Sequence, residues 1–495
     1  MPRDFGLKDN ELAKLRALFE SVPELEAVYV FGSRARGDHK GTSDVDLAVR
    51  TSTDHSRVTS RLKGELEEMN IIHRFDVANL ADLKEGSDFA RRVHKEMRVM
   101  WRRWWRTVSI SDVAENHDNL RKPLSSLERS SKKGAYPYYG AAGIIDYVEK
   151  WIFDGEYLLI AEDGSVCDDM GHPTLQRPKG KFWVSNHAHV LKCKSIIDQK
   201  YLYYFLKNQD IRAFVTGAVQ PKLNQENLNK IAISWPPEVE RARIAEILSS
   251  LDDKIELNRQ MNKTLEQIAQ ALFKHWFIDF EFPNEEGKPY KSSGGKMVES
   301  ELGLVPEGWI YDAIGNHVKI VGGTTPSTTN PEFWNGDYHW TSPKDLSVID
   351  GIYLLTTDKK ITEAGLGQIG SGSLAEGTLL MSSRAPIGYL AFAAIPVAIN
   401  QGYIAFLKDG SLPNSYMYFW LKMNMALVIA SANGSTFLEI SKSNFREINA
   451  LIPSKELVEL FDATIMPLMA AIHNGEFKNQ KLDDVRERAI CNLIS

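Results

Sequence analysis

The clearest pattern along the chain is a long amphipathic run after Pro236-Pro237. Residues from Glu238 to His275 contain no Gly or Pro, and apolar side chains recur at Ile244, Ile247, Leu251, Ile255, Met261, Leu265, Ile268 and Leu272. Spacings of three, four and seven predict one helix with a single apolar stripe. At 1.5 Å per residue its length is on the order of 55 Å. Asn258 falls on the stripe, where a polar side chain fixes register at some cost in stability. A second run spans Lys455 to about Ile494, with Pro467 early and Gly475 in the middle, so a kink or short break is expected there. Two stripes in one chain predict an antiparallel coiled coil.

The helices belong to a longer repeat. TGAVQPKLNQENLNKIAISWPP (216–237) and NGSTFLEISKSNFREINALIPS (433–454) align at a constant offset of 217 positions, with Gly217 on Gly434, Asn227 on Asn444, Ile231 on Ile448 and Pro236 on Pro453. The offset persists into the helices, where Ile255 falls on Ile472, Asn262 on Asn479 and Leu265 on Leu482. Each copy is thus a mixed globular region followed by a long helix. The globular regions mix short β-type runs (YLLIAED 157–163, TLLMSS 378–383, YLAFAAI 389–395) with helical stretches such as DQKYLYYFLKN (198–208), which predicts α+β domains. The expected boundaries are 105–236 and 309–453 for the globular regions, 237–281 and 454–495 for the helices, and 282–308 for a Gly- and Ser-rich linker.

Residues 1–104 follow a different, α/β pattern. A helix (9–21) precedes a strand (27–33), the loop ARGDHKGTS, a strand (44–50), a helix (about 55–69), a strand (74–80) and a helix (89–101). The junction WRRWWR (101–106) is expected to pack its aromatics between domains, with its arginines available to touch DNA.

Bulk properties narrow the function. At 495 residues about three domains are expected, and 43% hydrophobic with 25% charged residues is ordinary globular composition. A net charge of −6 argues against nonspecific coating of nucleic acid but leaves local basic patches open. Three cysteines without a CxxC pair exclude a disulfide scaffold and a Cys-based zinc site. There is no apolar signal region and no run approaching the ~18 residues that span a bilayer. A soluble, cytoplasmic protein with no membrane partner is expected.

The candidate chemistry lies in Gly32-Ser33, followed after ten residues by Asp44-Val45-Asp46. On a strand, residues i and i+2 share a face, so Asp44 and Asp46 project together and repel unless a cation sits between them. Such a pair suits Mg²⁺ bound together with substrate phosphates. Gly32 admits close approach of a triphosphate, Ser33 can donate to it, and Arg34 and Arg36 are placed to neutralise its charge. Asp76 on a neighbouring strand is the candidate third carboxylate, which with two metals would help activate an attacking hydroxyl.

The segment GSRARGDHKGTSDVDLAV (32–49) resembles the minimal nucleotidyltransferases of the polymerase-beta superfamily, the kind found as antitoxins. That resemblance implies Mg²⁺, a nucleoside triphosphate such as ATP, and nucleotide transfer to an acceptor hydroxyl, often on a partner protein. The rest of the chain resembles the specificity subunit of type I restriction-modification systems. The phrases that carry the likeness are PYYGAAGIIDYVEKWIFDGEYLLIAEDGS (137–165), QPKLNQENLNKIAISWPP (220–237), LDDKIELNRQMNKTLEQIAQALFKHWFIDFE (251–281), GGTTPSTTNPEFWNG (322–336) and SSRAPIGYLAF (382–392). This implies two target-recognition domains that read a bipartite site on double-stranded DNA, an adenine methyltransferase docked on the helices, and a separate motor-nuclease subunit. Half-sites on one face of a duplex lie roughly 34 Å or a multiple apart, a spacing that long paired helices can set.

Phosphate contacts need Lys, Arg, Ser, Thr or backbone amides, and base contacts need forked or amide side chains. The candidates are Lys132, Lys133, Tyr138, Tyr139, Gln220 and Lys222 in the first unit, and Thr324, Thr325, Ser383 and Arg384 in the second. No Gly-rich loop for S-adenosylmethionine and no Walker A sequence is present, and NPEF (330–333) departs from the Asn-Pro-Pro-aromatic motif of adenine methyltransferases. The main role is therefore read as non-catalytic DNA recognition. The alternative is a nucleotidyltransferase enzyme that the C-terminal region brings to a restriction complex.

Overall fold

The computed structural model describes residues 5–52, 55–84, 87–103, 105–217, 220–434 and 438–494. The chain forms two units, the first made of residues 1–253 with 483–495 and the second of residues 254–482.

Within the first unit, strand β1 (Leu25–Phe31) buries every side chain except Glu26. The reason is that helices cover both faces of its sheet. Val28 and Val30 pack with Leu15 and Phe19 of helix α1 (Asp9–Ser21), whereas Ala27, Tyr29 and Phe31 pack toward Val93 and Met97. Gly32–Arg36 forms a short helix, α2, so the first predicted strand ends at Phe31. Strand β2 (Val45–Thr51), helix α3 (His55–Glu68) and strand β3 (Phe75–Asn79) follow the predicted order. The last predicted helix is only half right. Helix α4 (Asp88–Glu96) stops at Glu96, and Arg98–Arg102 forms strand β4 against β1. The apolar run Val99-Met100-Trp101 suits a strand covered on both faces, Val99 packing on one side and Met100 and Trp101 on the other. The sheet order is β3-β2-β1-β4, with β2 and β3 parallel and β1 antiparallel to both of its neighbours.

The junction packs inward. Trp101 is buried 5.8 Å from Phe19, ring to ring, and Arg102 lies over Trp105 at 4.4 Å. Arg102 donates to the carbonyls of Asn492 (2.7 Å) and Leu493, which are unpaired backbone acceptors at the C-terminus of the second long helix. Arg103 donates to Leu25 O (2.7 Å) and Phe19 O (3.1 Å). These two arginines are thus used inside the protein rather than on DNA, and Trp104 lies outside the described residues.

The first globular region holds a sheet ordered Leu175–Gln176, Leu158–Ala161, Ala188–Cys193, Ala114–Asn116, and a second ordered Ile144–Val148, Lys133–Tyr139, Lys181–Val184, Phe153–Asp154. The globular region of the second unit has a five-stranded sheet that includes Leu379–Ser383 and Ile387–Ala393, and a three-stranded one centred on Trp334–Thr341. The expected linker carries a hairpin, Met297–Ser300 with Gly303–Pro306, and its Phe282 stacks on Tyr290 and Trp309.

The repeat is kept in element bounds. Helices Gln225–Asn229 and Lys442–Arg446, strands Ala232–Trp235 and Asn449–Ile452, and the starts of helices Glu238–Phe277 and Lys455–Leu493 all obey the 217-residue offset. One hydrogen bond repeats with them. Asn227 Nδ2 donates to Phe214 O (2.9 Å), and Asn444 Nδ2 donates to Ser431 O (3.1 Å).

The two long helices run antiparallel in each unit. In the first unit, Arg486 pairs with Asp252 (2.8 Å), and Ile244, Leu248, Ile490 and Ile494 share a core. In the second unit, Asn262 Nδ2 donates to Ile472 O (3.3 Å) and Asn479 Nδ2 donates to Ile255 O (3.1 Å). These bonds are exchanged between equivalent positions of the two copies, as across a twofold axis. The buried seam runs through Leu248, Ile255, Asn262, Ala269 and Trp276, seven residues apart. The predicted stripe misjudged Ile247, Met261 and Ile268, which are exposed, because small and polar residues occupy the close-approach positions. Asn258, buried as expected, donates to Asn479 Oδ1 (2.7 Å).

The expected break in the second helix is absent: Lys455–Leu493 is one helix with Pro467 inside it. Gly475 has a packing reason. It is the counterpart of Asn258, and a Cβ there would lie 2.3 Å from Asn262 Oδ1, a buried acceptor with no hydrogen-bond partner among the described residues. Glu476 beside it accepts from the N–H groups of Ile352 (2.9 Å) and Tyr353 (3.0 Å), while burial pushes its carboxyl up to about 7.

Gly475→Ala should therefore destabilise the second unit by about 1–3 kcal/mol through overpacking, although the same change gains roughly 1 kcal/mol in an open helix. In denaturant unfolding, Asn262→Ala should relieve most of that loss in the double variant. Strictly additive effects would show that no such contact exists.

Candidate functional site

Gly32 closes β1 with φ of +74°, a backbone conformation that favours glycine, and a Cβ there would lie 2.2 Å from Asp46 Oδ2. The tight turn thus brings the Gly32 backbone so close to the Asp46 carboxylate that no side chain fits between them. Asp46 is half-buried on β2 and is the register partner of Asp76 on the parallel strand β3. Asp44 is exposed and precedes β2 by one residue, two positions before Asp46. Burial, then the charges of Asp76 and Asp44, raise the Asp46 carboxyl above the usual range, and Arg92 and Arg36 oppose them. Asp76 and Asp44 thus both act on Asp46, a repulsion that a divalent cation would relieve, but the ligand atoms of the three acids do not all lie within 4.8 Å of one another.

The remaining predicted residues divide. Ser33 is half-buried in α2. Arg36 is exposed, held by Asp38 (3.1 Å) and Glu96 (2.9 Å). Arg34 is corrected: it is buried and donates to Phe5 O (2.7 Å) and Ser43 O (2.8 Å), fastening the N-terminal segment to the loop before β2. Two charged residues of α4 border the site and escaped the sequence reading. Arg92 is exposed and acts on Asp46, and Glu96 also accepts from Gly32 N–H (3.2 Å). The motif spacing gave no signal for either.

Among the described residues, one cluster of metal-type ligands lies within 4.8 Å, namely Asp118, Glu162 and His189. Its polar atoms already have partners. His189 Nδ1 faces Asp118 (2.5 Å) and Nε2 faces Leu223 O (2.7 Å), so neither nitrogen is free to ligate. Arg121 and Lys222 pair with Glu162 at 2.7 and 3.2 Å. This network ties down the segment that carries Lys222.

Of the other candidates in the first unit, Gln220 is exposed, and Lys132 and Tyr139 are half-buried. Lys133 is exposed but bonded to Asp146, and that bond leads the causes that hold the Asp146 carboxyl low. Tyr138 is corrected: it is 1% exposed, and its hydroxyl accepts from Leu124 N–H (2.9 Å), so it belongs to the core. In the second unit Ser383 is corrected for the same reason, being buried with its N–H on Gly402 O (2.8 Å).

The other three candidates in the second unit converge. Thr324 N–H donates to Ile399 O (3.1 Å), and Thr325 Oγ1 donates to Gln401 Oε1 (2.7 Å). Arg384 lines a cavity of about 400 Å³ with Lys344, Ser347, Tyr389 and Asn400. Lys344 makes no ion pair among the described residues, and Arg384 reaches only Glu439, at 3.5 Å. Two segments some sixty residues apart thus meet at 399–402, around guanidinium, ammonium and amide groups of the kind that contact phosphate and base edges. Lys344, Asn400 and Gln401 were missed because the sheet, not the sequence, brings them together.

Residues 103–267 and 306–480 match the family described as Type I restriction modification DNA specificity domain, and residues 13–103 match Polymerase beta, Nucleotidyltransferase. The type I restriction enzyme HindI specificity subunit of Haemophilus influenzae is 24% identical over 327 residues, covering 56% of this chain and 71% of that protein. The MjaIX specificity subunit of Methanocaldococcus jannaschii is 31% identical over 189 residues, 38% of this chain and 44% of that one, so the match spans under half of that relative. A solved type I restriction-modification S subunit from M. genitalium is 14% identical, with 79% of this chain and 96% of that chain covered and a TM-score of 0.49. No helix among the described residues is long and apolar enough to cross a membrane.

A raised carboxyl means that the folded state binds more protons than the unfolded one, so Asp46 costs stability as pH rises through the carboxylate range. In thermal melts at pH 7, Asp46→Asn should exceed the wild type, and the gap should close toward pH 4. Added Mg²⁺ should raise the wild-type melting temperature and leave the variant unmoved. A wild type indifferent to Mg²⁺ counts against a metal site.

Proposed function

The chain belongs to the type I restriction modification DNA specificity family, and from that premise we propose that its two copies each read one element of a bipartite duplex target. The carrying observation is the repeat itself. Two globular regions precede paired helices at one offset, with the same asparagine–carbonyl bond in each copy. In the second copy, Arg384, Lys344, Asn400, Gln401, Thr324 and Thr325 supply the duplex contacts. In the first copy, Lys132, Tyr139, Gln220 and, after release from Glu162, Lys222 remain available. The long helices space the two elements and dock the adenine methyltransferase, for which the exposed line of Leu257, Met261 and Ile268 offers an apolar surface. Methyl transfer belongs to that methyltransferase, and translocation and cleavage to a separate motor-nuclease subunit.

A second activity is favoured by the register of Asp46 with Asp76 beneath Gly32. In this reading Asp44, Asp46 and Asp76 would hold Mg²⁺, Gly32, Ser33 and Arg36 would hold the phosphates of ATP, and a hydroxyl oxygen of a protein acceptor bonds to the α-phosphorus as the α–β bridge breaks, pyrophosphate leaves and the hydroxyl proton passes to solvent. Bound Mg²⁺ would stabilise the developing phosphate charge. This chain's own contribution is the glycine turn that lets phosphate approach and the carboxylates that hold the metal.

Mapping methylated adenines in cells with and without the gene tests the first reading. A two-part motif should vanish on deletion, and Arg384→Ala should relax bases in one part only, at about 1–3 kcal/mol per lost base contact. Methylation that ignores the gene defeats the assignment. For the second reading, α-³²P-ATP should label a co-purifying protein, and Asp44→Ala or Asp46→Ala should abolish the label with the methylation motif intact.

A further inference from the structure

The donors assigned above to phosphate already hold an anion of the protein's own. Glu96 Oε2 accepts from the backbone N–H of Gly32 at 3.2 Å and from Arg36 Nη1 at 2.9 Å. Its side chain is only 16% exposed. It is the last residue of α4, and Met97, buried, leads directly into β4. The carboxylate is therefore delivered by packed secondary structure, and it leaves the donors by rotating its own side chain. Arg92, one turn earlier on the same helix, acts on Asp46 and makes no ion pair among the described residues. One face of α4 thus presents both an anion and a cation to the motif.

We propose that Glu96 is an internal ligand of the phosphate-binding donors, displaced when a nucleoside triphosphate binds, and that it sets the affinity of the N-terminal domain for nucleotide. The proposal rests on the nucleotidyltransferase reading. Carboxylate and phosphate oxygens compete for the same charge-assisted N–H bonds. The intramolecular ligand gives up no translational freedom, so it lowers the fraction of molecules with open donors and weakens apparent affinity by that fraction. Once displaced, Glu96 faces the phosphates and Asp46 with like charge, which makes the exchange costlier still. Arg92 stays in place to take up part of the incoming charge.

Calorimetric titration of the full chain with α,β-methylene-ATP and Mg²⁺ tests this, because the α–β bridge of that analogue cannot be cleaved. Glu96→Gln keeps the shape and removes the charge, and it should bind roughly tenfold tighter than the wild type. Glu96→Asp, whose shorter arm reaches the donors poorly, should fall between them. Matching melting curves check that each variant is folded. Equal or weaker binding by both variants, with the wild type still binding, overturns the role of Glu96 and makes it a residue that orients Arg36. Absence of binding in all three proteins overturns the proposal together with the nucleotide reading on which it rests.

Discussion

Two helices that bury amide side chains along a common seam must give the buried N–H donors partners, and that requirement shapes the second unit. Asn262 and Asn479 meet it by reaching across to a backbone carbonyl of the opposite helix, each at the position equivalent to the other's target. An unmet buried polar group costs about 1–3 kcal/mol, so a slip of register would strand two amides together. An all-aliphatic seam would hold as tightly but tolerate several alignments. The asparagines convert a sticky surface into a defined one.

The first unit depends on a different constraint. The N-terminal sheet is joined to the repeat through β4, which the sequence pattern had extended as helix. On that strand, Arg102 caps the last carbonyls of the second long helix while its guanidinium lies over Trp105. A cation at a helix C-terminus also suits the helix dipole. The nucleotidyltransferase-like domain is therefore fastened to the specificity fold through Arg102, while Arg103 is used within the N-terminal domain.

What was legible in the sequence follows from the range of each interaction. The repeat offset and the order of the N-terminal elements up to helix α4 are written in local spacing and reappear in the structure. Tyr138 and Ser383 were misjudged because exposure is decided by the sheet that covers them. Arg34 and Arg36 are two residues apart in one motif, yet one is buried under backbone carbonyls and the other faces two carboxylates. Glu96 carried no signal, since nothing in a helical stretch says which far-off N–H its side chain will meet. The same holds for Asn400 and Arg384, which become neighbours only through strand pairing.

Gly475 gives the seam a sense of identity. Where one copy carries Asn258 the other carries glycine, so the amide of Asn258 has a mate in Asn479, while the opposite corner leaves room for Asn262. Two first copies placed face to face would crowd a side chain against each Asn262, and two second copies would leave each Asn479 oxygen without its donor. The halves are thus matched as left and right hands are, and each helix finds a better mate in its own chain's other half than in a duplicate of itself.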